Sequence, residues 1–161
     1  MKSVLLLITS LILFSNLLMS TDPQRIKAKY TIYVNFSKHI DSVRFTVMRN
    51  SDRKIILTTK CAHGNKSGTN YATTFSNSFD SHQTSLGKYV IMEKYNGMWG
   101  RSFKLDGLDK INSNARSRSI IIHSAKKLRT KWSWGCFAIP EQDLDKLYSL
   151  DLYGSILIAY K

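Results

Sequence analysis

Ile120-Ile121-Ile122-His123-Ser124-Ala125 is an apolar run that ends in a histidine, and Ser133-Trp134-Gly135-Cys136-Phe137-Ala138 places a glycine-preceded cysteine thirteen positions after it. Three consecutive isoleucines bounded by polar residues predict a central strand, Ser119 to His123, buried on both faces. Such a strand delivers His123 at its end. The connection to Cys136 is basic, with Lys126, Lys127, Arg129 and Lys131. A cysteine nucleophile needs thiolate character, which a neighbouring histidine or positive charge supplies. His123 could take the thiol proton, and the basic loop would favour the anion. Gly135 would let backbone N–H groups approach a developing oxyanion. By spacing alone, a pair of this kind is more often a structural coincidence than a catalytic one.

Outward from this segment the chain reads as strands. Lys29 to Phe36 alternates through Tyr30, Ile32, Val34 and Phe36, the period of a half-buried strand. Val43 to Met48 alternates likewise, the cluster Asn50-Ser51-Asp52 turns, and Lys54 to Lys60 returns as a hairpin partner. His63 to Ser85 has no sustained period and predicts a long loop of the functional kind. Gly87 to Met92 and Trp99 to Leu105 predict two further strands, and Gly107 to Asn114 a short helix. Past Pro140, Glu141-Gln142-Asp143 suits a helix N-terminus, with Leu144, Leu147 and Tyr148 at helical spacing. Ser155 to Tyr160 closes the chain as a strand. The expectation is a mainly β single domain with one or two short helices.

With 161 residues there is room for one such domain. Residues 1–21 read as a signal peptide, cleaved or kept as an anchor. Lys2 is followed by an apolar run from Val4 to Leu18 and by small residues at Ser20 and Thr21. The run is interrupted by Thr9, Ser10, Ser15 and Asn16 and falls short of the roughly 20 residues that span a bilayer. Residues 22–161 would then be an exported domain, periplasmic or associated with the cell envelope. The formal charge of +13 calls for an anionic partner. An exported domain rarely meets nucleic acid, so an anionic wall polymer or membrane surface is the expected partner rather than DNA or RNA.

The strand–His123-Ser124-Ala125 element followed by Ser133-x-Gly135-Cys136 resembles the catalytic motif of the L,D-transpeptidases, the YkuD-like family. Ala62-His63-Gly64-Asn65-Lys66-Ser67-Gly68, Phe75-Ser76-Asn77 and Ser81-His82-Gln83-Thr84-Ser85-Leu86-Gly87 are similar to the branch described as murein L,D-transpeptidase catalytic-domain-like. Gly100-Arg101-Ser102, Leu105 to Leu108, Asn112 to Arg118 and Gly154 to Ile158 continue it in order, from about Tyr30 to Lys161. The resemblance implies an L,D-transpeptidase-like β-sandwich and a cysteine acyl-enzyme acting on peptidoglycan stem peptides, with no cofactor. Carried over by position, Cys136 is the nucleophile and His123 its base. The Ser124 carbonyl orients the imidazole, and N–H groups at Gly135 and Cys136 form the oxyanion hole. Ser133 and Trp134 fall beside the donor, with His63, Arg101 and Arg118 as further substrate-binding candidates. His82 and Arg116 are weaker candidates. This sequence departs from the common pattern in carrying Trp134 where many members have histidine, Phe137 where the branch often has proline, and a short loop between His123 and Cys136.

Other readings stay open at this stage. An L,D-carboxypeptidase or related hydrolase would use the same scaffold and acyl-enzyme. A basic wall-binding module would keep the fold without chemistry. Cys61 and Cys136 could pair as a disulfide. Cys61, His63, His123 and Cys136 would also supply a Cys₂His₂ zinc set, though at unusual spacing, and no metal is expected. Alternatively Cys61 is a small buried hydrophobe. A catalytic Cys136 is expected to label faster at neutral pH than an ordinary thiol.

Overall fold

The computed structural model describes residues 28–128 and 130–161; the expected signal peptide, residues 22–27 and Arg129 lie outside the described residues. The eight strands are β1 (Tyr30–Asn35), β2 (Phe45–Arg49), β3 (Ile55–Thr59), β4 (Gly87–Gly97), β5 (Gly100–Gly107), β6 (Ile121–Ser124), β7 (Phe137–Ile139) and β8 (Ile156–Tyr160). The helix α1 spans Glu141–Tyr148, and three single 3₁₀ turns interrupt the loops.

All eight strands hydrogen-bond into one sheet in the order β3-β2-β1-β8-β4-β5-β6-β7. Hairpins make β1–β2, β2–β3 and β4–β5 antiparallel, whereas β1–β8 and β6–β7 are parallel. The alternation seen in the sequence is what buries one face: Ile32 and Val34 of β1, Phe45 and Val47 of β2, and Leu157 and Ala159 of β8 all point inward.

One sheet supplies all the strands of the domain. After β3 the chain crosses to the far edge, where Ala62 N–H donates to the Ala138 carbonyl of β7 at 2.8 Å. Gly64 then bridges to Ser133. The segment that follows β3 therefore lies along the β7 edge and covers part of it, while β3 remains the other end of the sheet. Core residues of both halves meet, with the rings of Phe36 and Phe137 6.1 Å apart and Tyr89 packed edge-on to Phe137 at 5.4 Å.

The predicted elements are present with shifted ends. β6 is buried along its whole length, as the isoleucine run implies. The short helix expected over Gly107 to Asn114 is a single 3₁₀ turn at Lys110–Asn112, closed by a capping box between Asp109 and Asn112. α1 begins after Pro140, which caps it rather than occupying its first turn, and it buries Leu144 and Leu147. Thr59 donates to the Asp143 carboxylate at 2.7 Å, tying α1 to β3.

Candidate active site

β6 ends at the mouth of a pocket of about 600 Å³ lined by His123, Cys136, Arg118, Ser119, Trp99, Trp132 and Trp134, with Asn65, Met98, Leu128 and Thr130 at its margins. His123 and Cys136 reach it from adjacent parallel strands, His123 in β6 and Cys136 immediately before β7. Parallel pairing, a residue from each strand end, and a short crossover loop bring together what the sequence separates by thirteen positions.

His123 is 2% exposed. Its Nδ1 lies 2.8 Å from the Ser124 carbonyl oxygen, which can only accept, so Nδ1 carries the proton. The other ring nitrogen therefore holds the lone pair. Burial lowers the imidazole pKa from its ordinary value, partly opposed by the Ser124 bond, so the ring is neutral at pH 7. Trp99 lies against it with ring centroids 4.9 Å apart.

The Cys136 thiol donates to the Ser119 carbonyl at 3.6 Å. Ser119 itself holds a left-handed backbone (φ 55°), a conformation uncommon outside glycine. Burial pushes the Cys136 thiol up to about 11, while a hydrogen bond from the Ile121 backbone and the charge of Arg118 pull it down. The resting pair is thus thiol and neutral imidazole. Burial works against the thiolate that the basic loop was expected to favour. Lys126 is 2.8 Å from Glu141 and Lys131 donates to Asn70, so neither serves the sulfur.

The turn that presents Cys136 is clamped from within. Ser133 is buried; its hydroxyl donates to the Cys136 carbonyl at 2.7 Å and accepts the Gly135 N–H at 3.1 Å. Ser133 is thus a brace that shapes the turn, and it is not among the residues lining the pocket. Its backbone exchanges bonds with the neighbouring segment, donating to His63 and accepting from Asn65. Gly135 has φ 113°, and a Cβ there would lie 2.8 Å from the Gln83 carbonyl oxygen and 3.2 Å from Arg118 Nη2. Only glycine fits both that conformation and that approach.

Arg118 is the residue whose role differs most from expectation while remaining at the site. Nη1 donates to the Ser76 carbonyl and Ser85 Oγ, and Nη2 to Ser81 Oγ and the Gln83 carbonyl, at 2.7–3.1 Å. Its fork is committed to the 76–85 loop, so it organises that loop under the Cys136 turn and is not open to grip a carboxylate. Among the described residues it is the only charged side chain lining the pocket, which no carboxylate enters.

The remaining candidates lie elsewhere. His63 is fully buried: Nδ1 accepts from Arg44 Nη2 at 2.9 Å and Nε2 donates to the Gly68 carbonyl at 3.0 Å. It is a core brace and not a substrate contact, because neither nitrogen is free. Arg101 pairs with Asp145 beside the Tyr148 ring, outside the pocket. Arg116 pairs with Asp106 and Glu93 on the surface. Cys61 and Cys136 are both free thiols, so the disulfide alternative is not realised. The engagement of both His63 nitrogens likewise breaks the proposed Cys₂His₂ set, and no cluster of three or more potential metal ligands occurs among the described residues. Cys61 is the buried hydrophobe of the third alternative, its thiol pushed to about 12 by burial. Sequence reasoning missed Trp99 and Trp132; the latter donates its indole N–H to the Thr69 carbonyl at 2.7 Å.

The eight-stranded sheet with its Cys/His pocket has counterparts among known proteins. The family profile described as L,D-transpeptidase catalytic domain matches residues 12–160. The chain belongs to that family. Solved structures with the same fold include Bdellovibrio bacteriovorus Bd1075, with 16% identity, a TM-score of 0.55 and 83% of this chain aligned to 48% of that one. An L,D-transpeptidase from Mycobacterium smegmatis gives 13% and 0.55, with 83% of this chain on 59% of its own. The L,D-transpeptidase (Yku) from Stackebrandtia nassauensis gives 17% and 0.54, with 89% on 62%. The chain thus spans about half to three-fifths of these structures. A search of curated proteins gave no match.

Proposed function

We propose that this domain is an exported L,D-transpeptidase that acts on peptidoglycan stem peptides through a Cys136 acyl-enzyme. The observation that carries this reading is that His123 and Cys136 line one pocket while the His123 Nδ1 proton is fixed on the Ser124 carbonyl. That leaves Nε2 as the base.

The chemistry follows from the resting protonation states. Sulfur attacks the donor carbonyl carbon as its proton passes to His123 Nε2, so thiolate is formed only along the reaction path. The Gly135 N–H is held by Ser133 Oγ, which leaves the Cys136 N–H as the nearer candidate to meet the oxyanion. His123 then protonates the leaving amine and a thioester remains. An acceptor amine gives its proton to His123, attacks the thioester carbonyl and forms the cross-link. The sulfur leaves and recovers the proton. Water in place of the amine would trim the stem instead. Export through the apolar leader and attraction of the basic surface to an anionic wall or membrane would place the domain at its substrate.

Incubating the protein and its Cys136→Ala variant with sacculi, then profiling muropeptides by mass spectrometry, tests this. New cross-links between two diamino acids that vanish with the variant are expected. Shortened stems without cross-links would indicate the hydrolase. Profiles identical to buffer, on sacculi bearing tetrapeptide and pentapeptide stems, would favour a non-catalytic wall-binding module.

A further inference from the structure

All three tryptophans of the chain, Trp99, Trp132 and Trp134, line the one pocket that holds His123 and Cys136. Two are anchored from behind, Trp99 against the His123 ring and Trp132 through its indole N–H to Thr69. Trp134 differs. It is 67% exposed although it sits two residues before Cys136. One face is covered by His82, parallel within 3° at a centroid distance of 4.9 Å. With His82 behind it and most of its surface bare, the other face is open.

The backbone that carries this plate is held by internal bonds. The Ser133 clamp and the Gly135 turn fix its backbone. His82, the backing ring, stands at φ 52° in the loop that Arg118 ties at Ser81 and Gln83. An open indole face carries negative quadrupole potential and attracts weakly positive C–H edges. A pyranose ring presents such a C–H face while its hydroxyls stay in water. The described lining offers no carboxylate, so nothing there selects an ammonium group over a neutral ring. Preorganised flat aromatic surface gives contact area at little entropic cost.

We propose that the open face of Trp134, backed by His82, is a saccharide-stacking platform, and that the donor is taken as a stem peptide still carried on its amino sugar. This rests on the stem-peptide reading above and names the substrate class of that same site. Reach is consistent: a stem segment of three residues spans at most roughly 10 Å when extended, which keeps the sugar of a short stem near Trp134, two residues from Cys136.

The test uses the full chain carrying Cys136→Ala, so that nothing turns over. Binding of a tetrapeptide stem, the same stem on its disaccharide, and the disaccharide alone is measured by calorimetry and by tryptophan fluorescence. The sugar-bearing stem should bind about tenfold more tightly than the bare stem, equivalent to about 1.4 kcal/mol. Trp134→Ala should remove that advantage, Trp134→Phe should keep part of it, and His82→Ala should reduce it. Equal affinity for both stems, or a sugar advantage that survives Trp134→Ala in a folded variant, would overturn the platform. If the wild-type chain turns over both stems equally, the platform falls and the enzyme stands. If it turns over neither while the disaccharide alone still quenches fluorescence through Trp134, the platform stands and the enzyme reading falls.

Discussion

The molecule contains two Cys/His neighbourhoods that look alike in the sequence and do opposite things in the fold. At Cys61 and His63 everything polar is consumed internally. Arg44, itself buried, donates to the Cys61 carbonyl at 2.6 Å and to His63 Nδ1 at 2.9 Å and lies over the Phe36 ring. At Cys136 and His123 one imidazole nitrogen is fixed and the other is left over, in a pocket that the thiol also lines. The proposed chemistry needs the site with a nitrogen to spare, and the other site has both nitrogens committed to the core.

Exchanging the two histidines should break this contrast most sharply. His123→Ala is expected to lower turnover of a stem-peptide donor by about 10²–10⁴-fold, the usual range for a lost general base, with little change in melting temperature. His63→Ala should do the reverse. It leaves the Arg44 guanidinium with an unpaired donor in the core, at about 1–3 kcal/mol of stability, while the folded fraction keeps its turnover.

The pH dependence separates them next. Burial lowers His63 from 6.5 to about 4, because desolvation and the Arg44 charge disfavour its cation. The unfolded chain therefore binds the proton first. The stability held by neutral His63 is fully present above about 6.5 and is lost as pH falls through about 4. Melting temperature should decline over that interval, and less steeply in a His63→Gln variant. Turnover should instead rise with pH as His123 deprotonates, along an acid limb below the ordinary histidine value.

A smaller effect tests where substrate recognition ends. Arg101 is paired with Asp145 outside the pocket, so Arg101→Ala should cost under about 1 kcal/mol of stability, as exposed ion pairs do. Its KM for a stem peptide should be unchanged. A raised KM would return Arg101 to the substrate-contact role that its sequence motif suggested.

The strands were legible because alternation along Tyr30–Asn35 and Phe45–Arg49 reports one buried face, and the isoleucine run reports two. β7 was not, since Phe137–Ile139 is three residues, all buried, without a period to read. That Cys136 and His123 share one pocket was foreseeable from local chemistry and resemblance. The roles of Arg44, Arg118 and Trp99 were not, because each depends on partners brought from distant segments: Arg118 reaches residues 33 to 42 positions away. His63, a candidate for substrate contact or for packing, takes the packing role, its nitrogens claimed by Arg44 and the Gly68 carbonyl.

The most direct test of the account is the mass of the protein quenched in acid during turnover of a tetrapeptide donor, followed by peptide mapping. The account predicts a single acyl adduct on Cys136, absent in Cys136→Ala and unchanged in Cys61→Ala. Donor conversion with no adduct on Cys136, or an adduct on Cys61, would contradict it.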